Sequence, residues 1–128
     1  MKFSYKFRGD NLYPIIEIIL ERGKTKIRLD ALVDSGATIS IFQGSIAEYL
    51  GINIETGERR IFQGVGGRIV GYIHKVSLQI CEIRFPCNIA FSNELVTSLN
   101  ILGRTDFFEQ FQITFDEKNK ELRFTKAD

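Results

Sequence analysis

Asp34 stands at the end of an alternating segment in which Ile27, Leu29, Ala31 and Val33 share one face, and it is followed by Ser35, Gly36 and Ala37. Three small residues after a strand let the backbone turn sharply and let another surface approach the carboxylate closely. Their amides can also donate hydrogen bonds to it and help hold it ionised. A single carboxylate has little power over water. Two brought to contact share one proton, because like charges at that distance cannot both ionise cheaply. One then serves as base on a water while the other, protonated, polarises a carbonyl. Taken alone, Asp-Ser-Gly also reads as an Asx turn closing a sheet.

The other candidates for chemistry are Cys81, Cys87 and the lone His74. A disulfide across so short a stretch is geometrically possible, but the chain lacks the cysteine density of a disulfide-held scaffold. A structural zinc normally takes four ligands, so these three residues imply no metal site. They read as two small buried or half-buried thiols and a polar position on a strand.

The elements that must position Asp34 are mostly strands, since apolar and polar residues alternate at period two and β-branched residues abound. In a first long strand Ile16, Ile18 and Leu20 share one face, with Ile15, Glu17 and Ile19 on the other, so both faces are to be covered at least in part. Pro14 fits a strand end or edge. Glu21 to Lys24 turns into the strand that carries Lys26, Arg28 and Asp30 outward and ends at Asp34. Ile39 to Phe42 is a further strand, and a short helix from about Gly44 to Leu50 stops at Gly51. Residues 57 to 73 predict a hairpin whose tip is Gly64-Val65-Gly66-Gly67. Val76, Leu78 and Ile80 continue a strand, Phe85 to Phe91 return, and Ser92 to Ser98 is loop or one weak helical turn. Ile101-Leu102-Gly103-Arg104 is a strand ending in glycine, with Thr105 placed to cap a short helix from Asp106 to Gln110. Phe111 to Phe124 predicts a final hairpin turning at Asp116-Glu117-Lys118-Asn119. Aromatics at this spacing are core more often than recognition surface, and any that are exposed become a dimer patch.

A length of 128 residues supports one domain spanning 1–128, its core about 12–110 and an extra C-terminal hairpin about 111–125. The charges, 17 Lys and Arg against 16 Asp and Glu, are interspersed. Phosphate binding needs a concentrated positive footprint, so nucleic acid is not an expected partner. No apolar stretch approaches a membrane span and no targeting element is visible, which makes a soluble, cytoplasmic protein the expectation.

Three separated features, read together, carry a family resemblance. Leu32-Val33-Asp34-Ser35-Gly36-Ala37-Thr38 resembles the active-site stretch of retroviral-type (retropepsin-like) aspartic peptidases, here in their cellular or prokaryotic branch. Phe62-Gln63-Gly64-Val65-Gly66-Gly67-Arg68-Ile69-Val70 looks like their flap, and Ile101-Leu102-Gly103-Arg104 like their second hallmark. Order and separation also match, over roughly residues 12 to 110. The resemblance implies an all-β fold. It would be a single acid-protease lobe, a closed or partly closed β-barrel with a glycine-tipped flap hairpin and one or two short helices.

It further implies an endopeptidase without cofactor that binds an extended peptide. Because no second Asp-Ser-Gly or Asp-Thr-Gly exists, it implies a homodimer with Asp34 paired across the two-fold. Ser35 would hydrogen-bond across that axis, Gly36 would face the substrate backbone, and Ala37 would leave room beside the scissile bond. Gly103 would permit the strand behind the loop to cross closely. Gly64, Gly66 and Gly67 would let the flap tip open, while Val65 and Ile69 would line the cleft with Ala37.

Two departures stand out. Viral members commonly pair an acid just after the motif with the arginine after the second hallmark; Arg104 is present, but the acidic position is occupied by Thr38. The tail from Phe111 is also longer than the end strand that locks viral dimers. A dimeric peptide-binding or scaffold module that keeps the fold without hydrolysis is the rival reading. Cleavage of one dedicated partner protein is a third.

Overall fold

Period-two alternation runs through most of the chain, and the structure, a computed structural model describing residues 1–64, 67–95 and 97–128, turns nearly all of it into strands. They are β1 (Lys2–Ser4), β2 (Lys6–Arg8), β3 (Asn11–Tyr13), β4 (Ile15–Arg22), β5 (Thr25–Val33), β6 (Ser40–Gln43), β7 (Glu58–Gly64), β8 (Gly67–Ile80), β9 (Ile83–Ser92), β10 (Asn100–Leu102), β11 (Phe111–Asp116) and β12 (Glu121–Lys126). The single α-helix among the described residues, α1 (Gly44–Tyr49), is followed by Gly51 at φ 77°, a left-handed conformation that suits glycine. Single 3-10 turns occupy Ile54–Thr56 and Phe108–Gln110.

Six strands close into a mixed barrel in the order β4, β5, β10, β6, β9, β8. The closing seam is antiparallel, with Ile19, Leu20 and Glu21 of β4 opposite Gln79, Leu78 and Ser77 of β8. The other part of β8 carries β7 as a long hairpin, from Glu58 opposite Ile73 to Gly64 opposite Gly67.

Ile16, Ile18 and Leu20 of β4 are fully buried, while on the other face Ile15 is buried, Ile19 half-buried and Glu17 exposed. One face thus packs wholly into the barrel and the other only in part. Phe42, Leu78, Ile80, Ile89, Phe91 and Leu102 fill the same interior. Each such side chain contributes roughly 1.5–3 kcal/mol of transfer free energy.

A second cluster fastens the chain ends. β1, β12 and β11 form a three-stranded sheet. Phe107 packs on Phe111 at 5.7 Å between ring centroids, Phe111 on Phe124 at 5.3 Å and Phe124 on Phe3 at 5.4 Å. Phe85, on β9, joins this stack to the barrel. Most of the tail aromatics are therefore core, and Phe115 alone among those on β11 and β12 is exposed.

The structure differs from the sequence reading at both ends of the chain. Residues 1–13, for which alternation alone predicted no element, form three short strands, because β12 supplies an edge for β1 and a turn at Gly9 folds β2 onto β3. The helix predicted from Asp106 shrinks to Phe108–Gln110, and Thr105 does not cap it. Asp106 adopts φ 66°, outside helical geometry, because its carboxylate is bound to the backbone and side-chain amides of Asn88 at 2.8 and 3.0 Å.

Candidate active site

The loop from Asp34 to Ile39 joins β5 to β6, yet these strands are not neighbours. β10 lies between them, parallel to β5 with Leu102 opposite Val33, and antiparallel to β6 with Ile101 opposite Ile41. The loop must therefore arch over the end of β10, and hydrogen bonds fix it there. The Asp34 amide donates to the Leu102 carbonyl at 3.0 Å, the Arg104 amide to the Ala37 carbonyl at 2.9 Å, and the Thr105 amide to the Thr38 carbonyl at 2.8 Å.

Gly103 is where the two segments cross. A Cβ there would sit 2.6 Å from both the carbonyl carbon and oxygen of Ile39 and 2.9 Å from the Ala37 oxygen, so only glycine fits. Its own amide donates to the fully buried Ser40 hydroxyl at 2.9 Å.

Within the loop, the Ala37 amide donates to the Asp34 carbonyl at 3.2 Å and the Gly36 amide to Asp34 Oδ1 at 2.9 Å. This is an Asx turn, and the same bond aims a backbone dipole at the carboxylate. Asp34 and Ala37 are half-buried, while Ser35, Gly36 and Thr38 are exposed. Arg104 donates to the Thr38 hydroxyl at 3.4 Å, so the arginine's partner here is a neutral side chain.

Gly64, Gly67 and Ile69 sit on the separate β7–β8 hairpin; Val65 and Gly66 lie outside the described residues. Gly67 takes φ 105°, a conformation open to glycine, while Arg68 is exposed and Ile69 half-buried. Where this hairpin leaves the barrel, the Ser92 hydroxyl donates to the Val70 carbonyl at 2.6 Å and the Val70 amide donates to Glu94 at 3.1 Å. Side chains thus replace the ladder at its root. Two of the described cavities, of about 480 and 420 Å³, are lined around Arg22 and Arg84 and around Glu17 and Cys81, not by Asp34.

Ser40 and Asn100 escape the sequence reading. Asn100 Oδ1 accepts the Gln43 amide at 2.9 Å and its Nδ2 donates to the Asp30 carbonyl at 3.4 Å, tying β6 and β5 to β10. The available signal was a lone polar residue inside an apolar strand, since a buried polar group must find partners.

Cys81 is exposed at the β8–β9 turn and Cys87 is buried, neither in a disulfide. Burial, with the nearby Asp106 charge, pushes the Cys87 thiol up to about 12. His74 shares a hydrogen bond with the Ile54 carbonyl at 2.7 Å. Among the described residues no three His, Cys, Asp or Glu side chains gather closely enough to hold a metal ion, and no helix is long and apolar enough to cross a membrane.

This geometry coincides with a family match. The Aspartyl protease family model matches residues 13–116. The chain belongs to the aspartyl protease family. Among curated relatives, this family member is 34% identical to DNA damage-inducible protein 1 of Kluyveromyces lactis over 101 residues, covering 77% of this chain and 24% of that protein. It is 28% identical to the UBA domain-containing protein Mud1 of Schizosaccharomyces pombe over 99 residues, covering 75% and 29%. The chain thus spans about a quarter of the length of the curated relatives it matches. Its fold is that of the EIAV protease complexed with the inhibitor HBY-793, at TM-score 0.54 and 19% identity, covering 77% of this chain and 88% of that one.

Proposed function

We propose that this aspartyl protease family member binds an extended peptide beneath its β7–β8 hairpin and hydrolyses it as a homodimer, with a water activated by two Asp34 carboxylates across the two-fold. The observation that carries the reading is Asp34 itself, half-exposed at the end of β5 and hydrogen-bonded by its own loop at Gly36, with exposed Ser35 and Gly36 beside it. A carboxylate so placed is open to a mate on its exposed side. Ser35 hydrogen-bonds across the axis, Gly36 meets the peptide backbone, Ala37 leaves space for a side chain, and Gly103 lets the floor of the site pack. Gly64 and Gly67 let the hairpin close over the peptide, with Ile69 against its side chains.

A second reading is a dimeric peptide-binding or scaffold module without hydrolysis, and the comparisons bear on it more directly. The matched relatives are about three times as long as this chain, and their names describe no peptidase.

Digestion of a diverse peptide library from acidic to neutral pH, parent chain against Asp34→Asn at high protein concentration, separates the two. The hydrolytic reading expects cleavage by the parent chain that disappears in the variant. Retained peptide binding without cleavage by the dimeric parent chain refutes hydrolysis and leaves the binding module.

A further inference from the structure

The cavity of about 480 Å³ on the outer face of the barrel is lined by Arg22 of β4, Lys75 and Ser77 of β8, and Arg84 and Pro86 of β9, among others. Three cations there face one acid, Glu21. That acid is already engaged, its two oxygens lying 3.4 Å from Lys26 and 3.4 Å from Arg84. Glu58, one step along the ladder from Lys75, is taken by Arg60. Arg22 and Lys75 stand in no ion pair among the described residues. Arg22 is nevertheless held, because its Nη1 donates to the carbonyls of Leu50 and Gly51 at 3.2 and 3.1 Å. A guanidinium fixed in this way meets an oxyanion with its other donors and without the cost of ordering a loose side chain.

The backbone adds a donor and an acceptor of its own. Lys75 lies opposite Asn88, and the Asn88 amide points away from β8, to Asp106 Oδ2 at 2.8 Å. Opposed residues of an antiparallel pair either bond each other or both turn away, so the Lys75 amide and carbonyl face the far edge of β8. On that edge β7 pairs only as far as Ile73, and β4 pairs only from Ser77 onward, since it turns off at Gly23 with φ 61°. Lys75 falls between the two, and no turn or loop among the described residues bonds its backbone. A peptide supplies both a donor and an acceptor to such an edge, whereas a small anion such as sulfate offers acceptors only.

We infer that this cavity is a docking site for an acidic segment of a partner protein, its carboxylates meeting Arg22, Lys75 and Arg84 and its apolar atoms resting on exposed Pro86. Charge complementarity names the occupant. The chain as a whole is nearly balanced, with 17 Lys and Arg against 16 Asp and Glu, so three cations around one neutralised acid form a local excess. The site uses no residue of the Asp34 loop and stands whether or not the chain hydrolyses peptides.

Fluorescence anisotropy of a labelled hexaglutamate peptide, titrated with the full chain at low salt, tests it, with circular dichroism melting to establish that each variant folds. The parent chain is expected to bind this peptide and not a labelled hexaglutamine. Lys75→Glu is expected to raise the dissociation constant about tenfold. Lys118→Glu makes the same change of charge at an exposed turn of the tail and should leave it within about twofold. A parent chain that does not bind hexaglutamate overturns the inference. Equal losses in the two variants reveal attraction to the whole chain rather than to the cavity, and no loss in Lys75→Glu places the peptide elsewhere; either result overturns it. Sulfate that displaces hexaglutamate at the peptide's own concentration shows a small-anion site and overturns the acidic segment as its occupant.

Discussion

Gly103→Ala is the sharpest perturbation of the site's framework. Ordinary contact begins near 3.4 Å, whereas the added Cβ would lie 2.6 Å from two backbone atoms of Ile39. The crossing must therefore open by about 0.8 Å, against backbone on both sides rather than a flexible side chain. Overpacking of this kind costs about 1–3 kcal/mol. Opening the crossing also stretches the buried bond from the Gly103 amide to Ser40, at a further cost of about 1 kcal/mol. For a chain of this length each kcal/mol lowers the melting temperature by about 4 °C, so a fall of about 8–16 °C is expected. Gly36→Ala is the control, because its Cβ would sit 3.2 Å from Asp34 Oδ1 on an exposed loop. It should cost under about 1 kcal/mol. Thermal unfolding followed by circular dichroism measures both. A Gly103→Ala chain that melts within about 2 °C of the parent refutes the close crossing as the reason for glycine here.

Ser40→Ala deprives the buried Gly103 amide of its acceptor and should destabilise by about 1–3 kcal/mol, measured by urea unfolding. An unchanged unfolding midpoint would show that the hydroxyl contributes nothing to the crossing. For the cysteines, a thiol reagent at mildly alkaline pH should label Cys81 alone in the folded chain and reach Cys87 only on unfolding. Because burial raises the Cys87 thiol from 9.0 to about 12, its protonated form is favoured by folding. That contribution is whole below about pH 9 and is lost as pH rises toward about 12. Cys87→Ala should flatten this alkaline loss in a stability profile taken against pH, and an identical profile argues against the thiol as its source.

The strands β4, β5, β8 and β9 were readable because their side chains alternate, and Gly51 marked the end of α1. Asp34 was legible as a carboxylate at a strand end, although the Asx turn it forms is common to ordinary turns and to the proposed site. Gly103 was singled out through the family resemblance, since nothing in its own neighbourhood says that another backbone crosses there. Ser40 and Asn100 stayed hidden because a polar residue in an apolar strand shows its purpose only when its partner, up to 70 residues away, is known. The helix predicted at Asp106 failed for the same reason, as Asn88 holds that carboxylate in a conformation no helix admits.

Local order, by itself, determined which residues face inward and where the chain turns, because side-chain alternation and glycine conformation are properties of neighbours in sequence. Only the tertiary structure decided which edges meet. The β4–β8 seam closes the barrel across nearly sixty residues, β10 enters between β5 and β6, and β1 finds β12 from the opposite end of the chain. Edge hydrogen bonds carry no sequence label, so those pairings follow from burying the whole set of apolar faces at once.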